Sequence, residues 1–502
     1  MFLTPPQSQM TIDEKKSYTE DIVEAERSSS KGAEVRQVLP EPDKVAFRKA
    51  MFKLDCAFLP AVTLIYFLSF LDRANIGNAK AAGLMQDLNL TNHQYSIALT
   101  VTYVPYIVAE LPLTLLIRKV GPHILMPALM FAWGVVTTFQ GFVHNYAGLL
   151  ACRFFLGAAE GAILPCCITY LSSFYTRTRL GKRMALFFSA TSLAGAFSGL
   201  LAAALVNMDG LGGKRGWAWI FIIEGLLTVV YAIVCFWLLP RDPASVGYLS
   251  PAEKEALLQA LDIDRPPAEV DEKLTARSVT SILSAPQAWL VCGALFCSGA
   301  ALFSMAYFSP SIVQSLGHKG IMTQLYSVPP YVCSTALSLA VCYYSDKYHL
   351  RGPFIIFSAA LSLIGYALYL GSKNPRVRYA SLFFQVMGAY VSAPLTSTWM
   401  PNNLAPFYRR VTGIVSGFIL TNCGGILSTW LFPTTEAPDY KRGTSILLAL
   451  CVAMGAFAAA NMIYLAWQNR RREALGGFDK AGVELDDQAV LGDKSVHFKF
   501  IL

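Results

Sequence analysis

The feature that most constrains the fold is the grouping of apolar residues into long runs separated by short polar stretches. Two of these runs, residues 128–142 and 226–239, contain no charged residue at all. A membrane-spanning helix needs about 20 mostly apolar residues and satisfies its own backbone hydrogen bonds. Six such runs lie within residues 54–239 and six more within residues 288–467. We therefore predict an all-α membrane protein with twelve transmembrane helices in two six-helix halves.

The polar stretches divide the chain further. Residues 1–53 are polar and mixed in charge, without an apolar stretch behind a basic start, so we predict a disordered tail rather than a cleaved signal. Residues 54–239 are predicted to form the first six-helix bundle, and residues 288–467 the second. Residues 240–287 are the predicted linker, and residues 468–502 a C-terminal tail. We expect the linker and both tails to be cytosolic.

The charge balance is explained by topology. The chain has 41 Lys and Arg residues against 33 Asp and Glu residues, a formal net charge of +8 at pH 7. With the N-terminus inside, the basic residues concentrate in inner loops, as at Lys119, Arg179, Arg183, Lys347 and Arg409. Basic loops tend to stay in the cytosol. We therefore expect a monomeric, multi-pass protein in the lipid bilayer of the plasma membrane, with both termini cytosolic and no nucleic-acid partner.

The sequence lacks the signatures of other functional classes. The 11 cysteines lie in or beside apolar runs and show no CxxC spacing, so neither a disulfide framework nor a metal site is predicted. No GxxxxGK[ST] loop is present, which excludes a nucleotide-driven pump of the usual kind. We also find no Ser-His-Asp arrangement. We expect neither an enzyme nor a cofactor.

A weak internal repeat supports two related halves. Gly121-Pro122 opens the third apolar run directly after a basic loop, and Gly352-Pro353 opens the ninth in the same way. Parallel halves that face each other across a cavity place a ligand near the middle of the bilayer.

Several segments resemble the signatures of one transporter family. They are residues 70–79 (FLDRANIGNA), 153–161 (RFFLGAAEG), 219–225 (WIFIIEG), 239–243 (LPRDP) and 399–403 (WMPNN). This series is similar to the anion:cation symporter family of the major facilitator superfamily, and within it to fungal permeases for nicotinate, allantoate and related organic anions. The resemblance implies the major facilitator fold and proton-coupled transport of a small organic anion.

Charged residues inside the predicted spans need a reason, because each costs roughly 2.5–3.5 kcal/mol or more in the bilayer core. Arg153 and Glu160 are seven residues apart, which places them on one helix face about 10 Å apart. Arg73 lies late in span one, at a similar depth. Two guanidinium groups in one cavity repel each other unless anions compensate, and their planar fork matches a carboxylate. This pattern indicates a site for an anionic substrate.

The resemblance assigns roles to these positions. Arg73 and Arg153 would hold the substrate carboxylate, and Glu160 and Asp72 would carry protons. Three further residues would contact the substrate, namely Tyr106, Asn422 and Trp399.

Each assignment has a structural alternative. Arg153 and Glu160 would otherwise be an ion pair that holds span four to a neighbour, and Arg73 a residue that extends to the membrane surface. Asp72 would be a partner for another helix. Packing would account for Tyr106, helix–helix hydrogen bonding for Asn422, and the end of span ten at Pro401 for Trp399. Glu110 and Glu224 are predicted to be structural.

The preferred prediction is a proton-coupled symporter that imports a small carboxylate similar to nicotinate or allantoate. Two alternatives remain. One is an exporter of an acidic metabolite, since the same arginines serve either direction. The other is a nutrient sensor on the same fold, which the short C-terminal tail disfavours.

Overall fold

The computed structural model describes residues 43–264, 282, 285–318, 320–405, 407–474, 493 and 498–502. The predicted disorder of residues 1–42 and most of the predicted C-terminal tail lie outside this range, as does much of the linker. No strand occurs in the described residues.

Twelve long helical segments follow one another in the described part, and we number them as spans. They are span 1 (Lys44–Ala81), span 2 (Asn92–Val120), span 3 (Pro122–Gln140), span 4 (Tyr146–Phe174), span 5 (Arg177–Leu205), span 6 (Gly216–Leu238), span 7 (Pro286–Ser315), span 8 (Ile321–Tyr348), span 9 (Gly352–Gly371), span 10 (Pro375–Asn402), span 11 (Phe407–Ser428) and span 12 (Lys441–Ala474). Eleven are long and apolar enough to cross a membrane. Span 10 is less apolar, although its 28 residues are ample in length, because its buried face carries serine, threonine and glutamine.

Local sequence explains where several spans begin and end. Span 2 begins with a capping box in which Thr91 Oγ1 accepts from the Gln94 amide at 3.2 Å and Gln94 Oε1 accepts from the Thr91 amide at 2.9 Å. Span 4 consists of two helices, Tyr146–Glu160 and Ile163–Phe174. Pro165 removes a helical hydrogen bond and its ring clashes with the carbonyl four residues earlier, so the helix breaks directly after Glu160.

The first span is longer than the sequence predicted. It begins at Lys44 rather than at residue 54, so part of the predicted N-terminal tail is helical. This extension packs against a helix in the linker, Pro251–Asp264. Lys53 Nζ lies 2.7 Å from Glu253 Oε2, and the hydrogen bond from Lys53 holds the pKa of the Glu253 carboxyl below its ordinary value. The contact explains why this polar segment is helical.

The two halves repeat one packing scheme. In the N-terminal half, span 1 packs on spans 5 and 6, span 2 on span 4, and span 3 on spans 4 and 6. The same relations hold in the C-terminal half, where span 7 packs on spans 11 and 12, span 8 on span 10, and span 9 on spans 10 and 12. Span 5 meets span 8, span 2 meets span 11, and span 1 meets span 7 across the middle. The repeat suspected from sequence is therefore present in the packing.

Successive spans run in opposite directions, so Lys44, Ala474 and the linker helix share one face, which we call the linker face. The halves touch on the other side, which we call the opposite face. There Ser96 Oγ donates to the Thr429 carbonyl at 2.9 Å, and Gln324 Nε2 donates to the Asn78 carbonyl at 3.2 Å. A Cβ at Gly77 would overlap the Tyr307 carbonyl, so only glycine allows spans 1 and 7 to approach this closely. The opposite face is closed.

Residues 498–502, which we call the tail segment, fold back onto the C-terminal half at the linker face. Asn403 donates to the Ile501 carbonyl at 3.0 Å and accepts from the Ile501 amide at 2.8 Å. Asn469 makes the same pair of bonds to Phe500, both at 2.9 Å. Two asparagines thus hold the backbone of the tail segment between spans 10 and 12.

Candidate functional site

An ion pair lies at the centre of the N-terminal half. Arg73 Nη2 of span 1 is 2.6 Å from Glu160 Oε1 of span 4. Ser69, one helical turn before Arg73, donates to the same Glu160 oxygen at 2.7 Å. The Arg73 guanidinium lies 5.0 Å from the ring centroid of Tyr106 in span 2 and 5.0 Å from that of Phe303 in span 7. Arg73 therefore reaches the boundary between the two halves.

Arg153 is a buried cation that bonds no anion among the described residues. Its exposed fraction is 3%, and neither Nε nor Nη2 has a hydrogen-bond partner in the described part of the chain. No ion pair of the described residues includes it, and its guanidinium lies 5.8 Å from the Phe221 ring centroid. Buried polar groups are nearly always hydrogen-bonded, and a buried charge without a partner is costly. Arg153 is therefore suited to receive an anion.

Both arginines line one hollow. Arg73, Arg153, Tyr106 and Glu160 border it, together with residues of span 2 and Tyr307 of span 7. A Cβ at Gly157 would overlap the Thr102 carbonyl, and this close contact of spans 2 and 4 places both Arg153 and Glu160 beside the span 2 residues. Both guanidinium groups therefore border this hollow.

A second hollow lies beside the first, nearer the linker face. Arg73 and Tyr106 border it as well, with Glu110, Phe303 and Asn422. Glu110 is fully buried, and Asn422 Nδ2 donates to its Oε2 at 3.5 Å, while Oε1 has no partner among the described residues. The free volumes of the two hollows are ≈ 10 and ≈ 30 Å³. Such volumes hold a few waters at most, so a substrate requires the halves to separate.

The comparisons with known proteins agree with this architecture. The sequence pattern of the Major Facilitator Superfamily matches residues 62–430. The chain belongs to this superfamily. As a superfamily member it is a multi-pass membrane transporter and not an enzyme.

Relatives of this transporter span nearly its whole length. It is 33% identical to an uncharacterised transporter of Schizosaccharomyces pombe, over 90% of each chain. It is 29% identical to the high-affinity nicotinic acid transporter of Saccharomyces cerevisiae, over 92% of this chain and 86% of the relative.

Solved structures show the same fold. A proton:xylose symporter bound to a bromodeoxyglucose superposes with a TM-score of 0.62 at 15% identity, covering 81% of this chain and 95% of the other. An inward-facing bacterial homologue of the lysosomal transporter Spinster gives a TM-score of 0.60 at 14% identity, covering 81% and 96%.

Two residues predicted from the sequence are not brought to the hollows. Asp72 of the transporter faces span 3, where its Oδ2 accepts from Trp133 Nε1 at 2.9 Å. It is adjacent to Arg73 and therefore points about 100° away around the helix. Trp399 lies at the linker-face end of span 10, where its Nε1 donates to the Ile501 carbonyl at 2.9 Å. Its indole binds the tail segment rather than lining a hollow.

The structure also adds residues that sequence reasoning missed. Glu110, which we predicted to be structural, borders the second hollow one helical turn beyond Tyr106. That spacing was a usable signal, because residues four apart share a helix face. Tyr103 and Tyr307 join the halves through a 2.6 Å bond between their hydroxyl groups. No sequence signal identifies this pair, because the contact depends on how the halves dock.

Proposed function

We propose that this transporter carries a small organic anion, a carboxylate similar to nicotinate or allantoate, together with protons. The observation that supports this most is the buried Arg153 guanidinium, two of whose nitrogens have no partner among the described residues, beside the hollow it shares with Arg73. A guanidinium binds a carboxylate through two parallel hydrogen bonds and stays charged at every physiological pH. The sequence resemblance to anion:cation symporters points to the same substrate class.

The charges around the first hollow favour a substrate with one negative charge. Arg73 and Arg153 contribute two positive charges, and Glu160 balances one of them through its 2.6 Å ion pair. One positive charge is left over. A monocarboxylate would neutralise it, whereas a neutral sugar would leave the buried cation uncompensated. The likeness to a nicotinic acid transporter agrees with this preference.

The same ion pair suggests how a proton is coupled. A substrate carboxylate that binds Arg73 competes with Glu160 for the guanidinium. Once Glu160 loses this partner, its charged form loses its stabilisation and proton uptake becomes favourable. We therefore assign Glu160 as the main proton-carrying acid. Asp72 is the second proposed proton site, since its Oδ1 is buried without a partner among the described residues.

The orientation follows from basic residues at the linker face. Lys119, Lys182 and Arg241 are exposed there, at the ends of spans 2 and 6 and the start of span 5. Because such residues favour the cytosol, we assign the linker face and both termini to the cytosol and the protein to the plasma membrane. The closed opposite face is then extracellular. An outward gradient of the anion would drive export through the same site.

Uptake of radiolabelled nicotinate tests this proposal. Cells expressing the wild type should accumulate the label when the outside is mildly acidic, and Arg153→Ala should abolish uptake without loss of surface protein. Arg442→Ala is the matched control, because Arg442 is an exposed arginine, and it should transport normally. A panel of small mono- and dicarboxylates, with neutral and cationic analogues, identifies the class. Transport of neutral solutes only, or full activity of Arg153→Ala, would refute the proposal.

A further inference from the structure

A third cation of the transporter, Lys80, is buried near the opposite face. Its exposed fraction is 9%. Its ammonium lies 4.7 Å from the ring centroid of Tyr95 and 5.0 Å from that of Phe308. Among the described residues it forms neither an ion pair nor a hydrogen bond through Nζ. A lysine this close to a membrane surface normally extends into water, so its position between two rings needs an explanation.

The surroundings of Lys80 repeat those of Arg73. The two residues are seven apart in span 1, so they lie on one face about 10 Å apart. Each cation lies between a tyrosine of span 2 and a phenylalanine of span 7. For Arg73 these are Tyr106 and Phe303. The repetition indicates that the two cations have related roles at two depths of the membrane.

Arg153 lies at about the level of Lys80. Glu160 is level with Arg73, because the two side chains are bonded, and Arg153 precedes Glu160 by seven residues. Span 4 runs from the opposite face inwards, so Arg153 lies about 10 Å closer to that face than Glu160 does. Lys80 is displaced from Arg73 by the same amount in the same direction. Lys80 and Arg153 are therefore about level with each other, and both lie closer to the opposite face than Arg73 does.

The rings around Lys80 belong to different halves. Tyr95 is in the N-terminal half with Lys80, whereas Phe308 is in the C-terminal half and reaches Lys80 only because spans 1 and 7 touch at Gly77. Alternating access moves one half against the other. When the opposite face opens, Phe308 must withdraw, and the ammonium then faces water.

We propose that Lys80 is the first binding site for the anion on the opposite face. In the open state its ammonium attracts and holds the carboxylate, which then passes to Arg153 and Arg73. As the face closes, the Phe308 ring takes the place of the anion beside the ammonium, so the cation keeps a partner. The inference rests on the proposed anion transport.

Kinetics measured from both faces test the role of Lys80. In Lys80→Gln the KM for uptake from the opposite face should rise about tenfold with Vmax little changed, since a steering cation mainly raises the association rate. The KM for efflux of preloaded anion from the linker face should stay unchanged, because that route does not begin at Lys80. Lys80→Arg should retain a KM near the wild-type value. Lys373→Gln, which removes an exposed lysine of the same face, is the matched control.

Chemical restoration of the charge separates charge from packing. Lys80→Cys should show the raised KM, and aminoethyl methanethiosulfonate should restore it by forming a mixed disulfide that carries an ammonium. The sulfonatoethyl reagent, which adds a negative charge, should not. Treated wild type controls for the native cysteines.

The possible results are distinct. Equal changes in uptake and efflux, an unchanged KM in Lys80→Gln, or no rescue by the aminoethyl group would overturn the inference while anion transport by the wild type stands. Absence of carboxylate transport by the wild type would overturn the proposed function and this inference together.

Discussion

The two six-helix halves share one packing scheme, but they bury different chemistry. Deep within its spans, the N-terminal half holds six charged side chains, namely Asp72, Arg73, Glu110, Arg153, Glu160 and Glu224, and Lys80 lies in the last turn of span 1. The described spans of the C-terminal half hold hydroxyl, amide and aromatic side chains at comparable depths. Their charged residues lie near span ends, as Arg351, Arg378 and Arg409 do.

The difference suggests a division of labour. The charged residues of the site all lie in the N-terminal half. The C-terminal half lines the site with neutral side chains, so it moves during transport without carrying a charge through the bilayer core. Moving a charged group there would cost several kcal/mol. The C-terminal residues that line the two hollows, among them Phe303, Tyr307 and Asn422, are all neutral. The following predictions test whether the two halves differ in function as they do in composition.

The largest effect is expected at Arg73. In Arg73→Ala, kcat/KM for the anion should fall by about 100-fold or more, because the change leaves Glu160 buried without its cation. Asn422→Ala, the C-terminal counterpart on the second hollow, should reduce kcat/KM less than tenfold, because it removes only one long hydrogen bond, to Glu110. Initial uptake rates over a range of substrate concentrations measure both. Similar losses in the two variants would contradict the division of labour.

An intermediate effect is expected at Glu160, on accumulation of the anion driven by a proton gradient. Glu160→Gln should lose accumulation driven by a proton gradient, whereas exchange of labelled for unlabelled anion in liposomes should persist. Wild-type uptake should rise as the external medium is acidified, because the symported proton is then more available, and the variant should show a flat profile. If accumulation and exchange fall together, Glu160 supports structure rather than coupling.

A smaller effect is expected at the contact between the halves. Tyr307→Phe removes the 2.6 Å bond to Tyr103, which is worth about 1 kcal/mol. The closed opposite face should therefore open more readily. Aminoethyl methanethiosulfonate added from that face should label the double variant, Lys80→Cys with Tyr307→Phe, a few-fold faster than Lys80→Cys alone. Tyr326→Phe, an exposed tyrosine of the same half, should leave labelling unchanged. Slower labelling would show that the Tyr103–Tyr307 pair does not hold this face closed.

The smallest effect is expected outside the membrane, at Asp439. The hydrogen bond from Arg378, at 2.5 Å, holds the pKa of the Asp439 carboxyl below its ordinary value of 3.8. A carboxyl whose pKa is lower in the folded state stabilises the protein at pH values above its unfolded-state pKa. This stabilisation is lost as the pH falls through the folded-state pKa. Asp439→Asn should lower the melting temperature at neutral pH by about 1–2 °C or less. The difference between variant and wild type should vanish in strong acid. A difference that persists there would assign the effect to packing.

How much the sequence could predict depends on the range of the interactions. The apolar runs gave the number of spans, and the seven-residue spacing of Arg153 and Glu160 gave their common face, since both depend on one helix alone. The neighbours of Trp399 could not be predicted, because they come from residues about 100 positions further along the chain. Nor could Phe303 and Tyr307, which reach the site only once the halves dock.

The helical extension at Lys44 illustrates a third limit. Hydropathy shows where a segment stops being apolar. A helix continues past that point where its polar side chains contact another segment. Lys53 forms an ion pair with Glu253 of the linker helix, so span 1 extends beyond its apolar run. A boundary set by a contact between two polar segments leaves no trace in either one alone.

The tail segment has a practical consequence for work with this protein. Phe500 and Ile501 are bonded through their backbones by Asn469 and Asn403, so the tail segment is part of the folded surface. A fluorescent protein or affinity tag fused directly behind them would compete with that surface for space. Fusion partners for localisation or purification are better attached ahead of residue 43, where they disturb no described contact.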